Sequence, residues 1–295
     1  MDDPARPAPE PESSPVLQRL WGQEAPRRRG PKPALSVDRI ARAAVALADA
    51  EGLDAVSMAR VAETLGYSSM ALYRYVASKD ELLSLMADAA AADLVLPETS
   101  GLGWRADLEA WTRAQVEGVV SRPWYIDLPL PAVRLGPHRV RWIDRAFAIL
   151  RDLDLTTDEK LQVVGLLAQH VLAEARVVVE TRRAAAAVVR LREGLPDDTP
   201  ADALDPTALT QANPYYDFET VLRHFATPQE YPDLVAALTA DPPAATVSHP
   251  AAQPADAGAP STPDDWESDF GASLAIVLDG VEVFVARRLA SRGQA

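Results

Sequence analysis

Five side chains in a six-residue stretch carry the chemistry that is easiest to interpret in this sequence. Ser68, Ser69, Met70, Ala71 and Tyr73 follow Gly66 and Tyr67, and Leu72 in the stretch stands i, i+4 with Val76 just beyond it. If those two apolar residues turn inward, Ser69, Met70, Ala71 and Tyr73 face outward near the start of a short helix, the end that enters a DNA major groove. Serine hydroxyls donate or accept at base edges and phosphates, Met70 and Ala71 can touch a thymine methyl, and the Tyr73 hydroxyl can reach a phosphate. Ser57 and Ser68, hydroxyls at two helix starts, belong to the same candidate set. Lys79, with the backbone N–H groups of a following first turn, is placed to hold a phosphate. Upstream, Arg27, Arg28, Arg29 and Lys32, interleaved with Gly30, Pro31 and Pro33, read as a flexible basic arm for the backbone or the minor groove.

A second set of residues suits a small-molecule pocket. Trp104, Trp111, Trp124, Trp142 and Phe147 supply aromatic walls, and His170 with Glu174 places a polar pair at i, i+4 in an apolar stretch. The four histidines, at 138, 170, 224 and 249, include no two on one helix at metal-ligand spacing, so neither a metal nor a metal-borne ligand is expected. No cofactor is expected either. The predicted ligand is a neutral or cationic aromatic or apolar compound. Cysteine is absent, which removes disulfides, thiolate metal sites and a cysteine nucleophile together. Gly101-Leu102-Gly103-Trp104-Arg105-Ala106 fits G-x-G-x-x-A, but bulky Trp104 and Arg105 fill it and no βαβ pattern surrounds it, so it reads as a linker opening a helix. There is no H-E-x-x-H, P-loop or G-x-S-x-G, and an enzyme is not expected.

The elements that must position these residues read as all-α. Ser36 caps a helix with Ile40, Ala44, Leu47 and Ala48 on one face, ended by Gly52; Ser57 caps a second, with Met58, Val61, Ala62 and Leu65, ended by Gly66. The tight turn into the third helix makes a helix-turn-helix. Ser78 and Glu81 form a capping box that opens a fourth helix with Leu82, Met86, Ala89 and Ala90 inside. Farther on, helices are expected over about 103–121, 124–132 and 137–153. Thr156 and Glu159 open a long one toward Glu193. Along it Leu161, Val164, Ala168, Val171, Ala175 and Val178 alternate spacings of three and four, as do Phe270, Leu274, Val277, Val281 and Phe284 near the C-terminus. These seams suit either a four-helix dimer interface or packing within one subunit.

Charge divides the chain. Over 295 residues the net charge is -14, yet residues 27–79 carry nine basic and five acidic side chains, net +4, leaving 1–26 at -3 and the remainder at -15. A small basic head on an acidic body is expected when only the head meets phosphate. Residues 1–26 read as a disordered Pro-rich tail, 27–92 as the head and 93–295 as the body, with surface loops at 196–214 and 241–263. No uninterrupted apolar run approaches the ~20 residues of a membrane helix, and the first 25 residues lack a signal peptide's apolar core, so a cytoplasmic protein without membrane contact is expected.

The run Leu65-Gly66-Tyr67-Ser68-Ser69-Met70-Ala71-Leu72-Tyr73-Arg74-Tyr75-Val76, followed by Ser78-Lys79-Asp80-Glu81-Leu82-Leu83, closely resembles the DNA-binding domain of TetR-family transcriptional regulators over about residues 27–92. The resemblance implies an all-helical homodimer with recognition helices in successive major grooves and a C-terminal ligand-binding domain that sets their separation. It makes Ser69, Met70, Ala71, Tyr73 and Lys79 the DNA-contacting positions, although the family often has a polar residue where Met70 and Ala71 stand. Gly103-Trp104-Arg105, Arg122-Pro123-Trp124, Leu135-Gly136-Pro137 and the segment from Phe270 to Val285 resemble the tetracycline-repressor-like C-terminal domain, which implies an effector pocket among the helices. The expected function is a repressor released from double-stranded operator DNA by a small-molecule effector. The alternative is a helical carrier or enzyme that uses the helix-turn-helix as a structural module.

Overall fold

The computed structural model describes residues 15–22, 35–129, 133–214, 218–240 and 265–292, and among these all regular structure is helical. Helix α1 spans Pro15–Leu20, α2 Val37–Glu51, α3 Met58–Leu65, α4 Ser69–Leu72 and α5 Lys79–Asp93. The caps sit where the sequence places them. Ser36 accepts the Arg39 N–H and Ser57 the Arg60 N–H, both at 3.2 Å. Gly66 takes the left-handed conformation (φ 76°, ψ 30°) that ends α3 without a Cβ clash. Ile40, Ala44, Val61, Leu72, Val76, Leu82 and Met86 close one core. Leu72 and Val76 are fully buried, and beside them Met70 and Tyr73 are exposed while Ser69 and Ala71 are half-buried.

The expected disordered tail of 1–26 needs correction over its described part. Residues 15–20 form α1, Leu20 is buried in the head core, and Val16 and Leu17 pack against it. The apolar triad Val16, Leu17 and Leu20, spaced as a helix face, outweighs the prolines before it. The arm residues Arg27, Arg28, Arg29 and Lys32 lie outside the described residues.

The body begins with α6, Trp104–Ser121, and a 3₁₀ turn over Pro123–Asp127 where a longer helix to 132 was expected. It continues with α7, Pro137–Ile149, α8, Thr157–Glu193, and α12, Asp265–Arg292; α9 (Pro206–Gln211), α10 (Phe218–Phe225) and α11 (Pro232–Ala240) lie between the last two. Asp107 accepts the Ser100 N–H at 2.7 Å and its hydroxyl at 2.6 Å, and Gly103 has φ 111°, so the G-x-G-x-x-A run is indeed a helix opening. The Thr156–Glu159 capping box is reciprocal: Glu159 accepts the Thr156 N–H at 2.8 Å, and Thr156 Oγ1 accepts the Glu159 N–H at 3.2 Å. Within the stretch expected to be loop, 196–214, Asp205 caps α9 and Leu204 is buried against Ala186 and Val189. The loop at 241–263 lies outside the described residues.

Packing does not divide the chain at 92/93. Residues up to 175, with those from 274 onward, form one compact unit, and 176–273 form another. The first unit holds together across that boundary because α5 packs along α7 and because Trp124 and Leu128 complete the head core. Helix α8 is long and apolar enough, by length and composition, to cross a membrane. Its Val163, Val164, Leu167 and Val171 are, however, buried within this chain. The two seams therefore serve mainly the subunit's own interior: Val164, Val171 and Ala175 on α8, and Phe270, Leu274 and Val281 on α12, are buried in the single chain.

Candidate nucleic-acid interface and effector site

The outer surface of the helix-turn-helix is built from side chains that the core leaves over. Met70 is 73% exposed and Tyr73 48% exposed, Ser68, Arg74 and Lys79 are exposed, and Ser69 and Ala71 are half-buried beside them. Ser68 Oγ accepts the Ala71 N–H at 3.3 Å and Ser57 Oγ caps α3, so both hydroxyls spend an acceptor on their own helix and keep an O–H to donate. At the start of α5, Ser78 Oγ accepts the Glu81 N–H at 3.1 Å. The N–H groups of Lys79 and Asp80 lie in that first turn, where a helix offers them no acceptor of its own. Arg74, exposed next to Tyr73, is a further cation on this surface that the sequence reading did not single out; its direct adjacency to the outward tyrosine was the available signal.

Ion pairs brace the head from behind. Asp93 at the end of α5 meets Arg42 of α2 at 3.1 Å and Arg122 at 2.9 Å, and Arg122 also donates to the Ala90 carbonyl at 3.2 Å. Burial opposes ionisation of Asp93, but hydrogen bonds and charge from Arg122 and Arg42 outweigh it and hold its carboxyl below the ordinary range. Trp124 donates from Nε1 to Asp49 Oδ1 at 2.6 Å and is buried in the head core. This corrects its reading as a pocket wall. Its indole is committed to the core of the helix-turn-helix module.

Of the other pocket candidates, the structure joins Trp111 and Trp142: the Trp111 indole N–H donates to the Trp142 backbone carbonyl at 2.9 Å. Both rings are buried, and among the described residues Trp142 Nε1 is a buried donor without an acceptor, costly unless something supplies one. Trp104 and Phe147 are half-buried. His170 Nε2 stands 3.7 Å from Glu174 Oε1, a local i, i+4 pair along α8.

The helix that carries Trp142 is fastened to the head. Asp88 of α5 accepts the Arg139 N–H at 3.0 Å in the first turn of α7, and Ser84 accepts the Arg134 N–H at 3.0 Å just before it. Asp88 is buried, and that burial raises its carboxyl pKa against the lowering effect of the Arg139 and His138 N–H groups.

Residues 34–86 match the bacterial regulatory proteins of the tetR family, and residues 96–285 match the tetracyclin repressor-like C-terminal domain. The chain belongs to the TetR family. It is 38% identical over 162 residues to the HTH-type transcriptional repressor DrrR1 of Streptomyces coeruleorubidus, a match covering 55% of this chain and 60% of that protein. It is 33% identical over 119 residues to an HTH-type transcriptional regulator of Saccharopolyspora erythraea, covering 40% and 50%. The match thus spans half to three fifths of these relatives' lengths. Apo ActR from Streptomyces coelicolor shares the fold at a TM-score of 0.59 and 22% identity, over 86% of this chain and 98% of that one. ActR in complex with actinorhodin does so at 0.58 and 23%, over 85% and 98%. The first match takes in α2 to α4 and the start of α5, and the second takes in α6 to α11 and most of α12.

Proposed function

We propose that this chain is a dimeric, cytoplasmic repressor that holds double-stranded operator DNA through α3 and α4 and is released by a small aromatic or apolar effector bound among the helices of its body. The observation that carries the reading is the exposed row Ser68, Met70, Tyr73 and Lys79 on a helix-turn-helix whose inner face is fully packed. Bases are read by Ser69, Met70 and Ala71, and phosphates are held by Tyr73, Lys79, Ser57 and Ser68, with Arg74 added. The basic arm Arg27, Arg28, Arg29 and Lys32 contributes backbone or minor-groove contacts.

For the effector, Trp142 with its unpaired indole N–H and Trp111 packed on its backbone form the site's centre, with Trp104, Phe147, His170 and Glu174 as further lining. An acceptor-bearing effector at Trp142 would pull on α7, and the Asp88 bond from α5 to the first turn of α7 would pass that movement to the head. A two-state joint of this kind lets each ligand weaken the other's binding. The reading involves no catalysis and no membrane.

Dimerisation is assigned to the outer faces of α8 and α12. Leu161, Leu166, Ile276 and Val283 are exposed large apolar side chains there, and a Cβ at Gly280 would meet nothing, leaving room for a partner helix to approach closely. These replace the buried seam residues as interface candidates.

The test is retention of a genomic fragment library by the purified protein at two salt concentrations. Recovery of a palindromic site that salt weakens supports the reading, whereas sequence-blind or salt-insensitive recovery contradicts it. Since ActR is known with actinorhodin bound, that compound is a first probe for release of the recovered fragment.

A further inference from the structure

Helix α1 lies outside the helix-turn-helix, yet its one cation reaches the turn that faces the phosphate. Arg19 Nε pairs with Glu81 Oε1, and Arg19 Nη2 donates to Glu81 Oε2 at 2.8 Å, a two-point contact between residues 62 apart. The Glu81 side chain is wholly buried, and its Oε2 also accepts the Ala77 N–H at 2.7 Å. Glu81 stands two residues after Lys79 in the first turn of α5. Without Arg19 that turn would hold a buried carboxylate beside the position assigned to a DNA phosphate. The same end of α1 is held a second time: Trp21, just after the helix, donates from Nε1 to the Leu135 carbonyl at 3.3 Å.

We propose that α1 is a charge clamp of the DNA interface, in which Arg19 cancels the buried Glu81 carboxylate so that Lys79 meets the operator backbone with only the exposed Asp80 as an opposing charge in the first turn of α5. Arg19 is thus a positioning residue, acting on DNA through Glu81 and never touching it. The inference rests on the proposed DNA-binding role of this surface. It also assigns a function to a segment whose composition reads as tail.

Two carboxylate-neutralising exchanges separate the clamp from simple bracing. Full-length parent, Arg19→Gln, Arg19→Lys, Glu81→Gln, the double variant Arg19→Gln/Glu81→Gln, and Lys79→Ala are titrated with a labelled duplex of random sequence, about four helical turns long, at low salt. The phosphate contribution is independent of sequence, so no operator is needed. Thermal unfolding of each variant is recorded alongside. Arg19→Gln is expected to weaken binding about tenfold, because an uncompensated buried charge is left facing the phosphate. Arg19→Lys is expected to keep parental affinity, and the double variant to recover to within about threefold although its ion pair is gone. A double variant as weak as Arg19→Gln, or an Arg19→Gln that binds like the parent while Lys79→Ala does not, overturns the clamp. If Lys79→Ala also binds like the parent, the failure belongs to the DNA-binding reading of this turn.

Discussion

Asp88 and Gly136 meet with no room for another carbon: a Cβ at 136 would stand 2.3 Å from Asp88 Cγ. Gly136 has an ordinary φ of -99°, so steric contact and not backbone freedom is what calls for glycine here. The contact lets the Asp88 carboxylate sit directly over the first turn of α7, where helix N–H groups favour an anion. Gly136→Ala is expected to push the two helices apart, lowering stability by about 1–3 kcal/mol, the usual range for forced overpacking. Denaturant unfolding measures that loss. The same variant should blunt release by an effector, because the joint between α5 and α7 is loosened; unchanged stability would mean that the contact yields at no cost.

Two carboxylates on α5 should give opposite pH signatures. Asp88 has a raised pKa in the folded chain, so the folded state binds its proton more tightly than the unfolded state. Its contribution to stability therefore declines as pH climbs from the ordinary aspartate range through the folded value. Asp93 has a lowered pKa, so its contribution is present above the ordinary range and is lost as pH falls through the folded value. Stability measured against pH for Asp88→Asn and Asp93→Asn should show the first variant gaining on the parent as pH rises and the second losing. Parallel profiles would contradict the assignment.

The two buried tryptophans of the body differ in one bond. Trp111→Phe removes a donor that is paired with the Trp142 carbonyl, whereas Trp142→Phe removes a donor that has no acceptor among the described residues. Trp111→Phe should be the more destabilising by about 1 kcal/mol, the net worth of a typical hydrogen bond. Chemical denaturation of both variants checks the order. Equal losses would show that packing volume alone decides.

A dimer face distinct from the buried seams is expected on the outer side of α12. Ile276→Asp or Val283→Asp should yield a helical monomer by light scattering with the circular dichroism of the parent, since neither side chain belongs to the subunit's interior. A dimer that survives both exchanges would place the interface elsewhere.

Much of this arrangement is written locally in the sequence. Ser36, Ser57, Ser78 and the Thr156–Glu159 pair act within three or four residues of themselves, and Gly66 ends α3 by its own conformation, so composition and spacing suffice to place them. The outward row at 68–73 follows from Leu72 and Val76 alone. Three features depend on partners far along the chain and were not legible. Residues 15–20 read as tail because the Arg19–Glu81 pair and the pocket that Leu20 fills come from α5 and the head core. Trp124 read as a ligand wall because nothing near it in sequence announces Asp49, 75 residues away. The apolar spacing on α8 and α12 implies that each helix has a buried stripe, but which neighbour covers the stripe is a matter of tertiary packing. Trp104, Phe147, His170 and Glu174 are joined to the Trp111–Trp142 pair by the proposed function alone.

The central claim is that the outer row of the helix-turn-helix grips the DNA backbone and reads its bases. The most direct measurement is the affinity of parent, Lys79→Ala and Tyr73→Ala for the recovered palindrome across a range of salt concentrations, with thermal stability recorded beside it. Both variants should bind more weakly, with melting behaviour close to the parent's. Lys79→Ala, which takes a cation away from a phosphate in each half-site, should also reduce the slope of log affinity against log salt by about two for the dimer. Tyr73→Ala removes a neutral hydroxyl and should leave that slope as it is. Parental affinity in both variants, with a parental slope for Lys79→Ala, would contradict the account and leave the helix-turn-helix as a structural module.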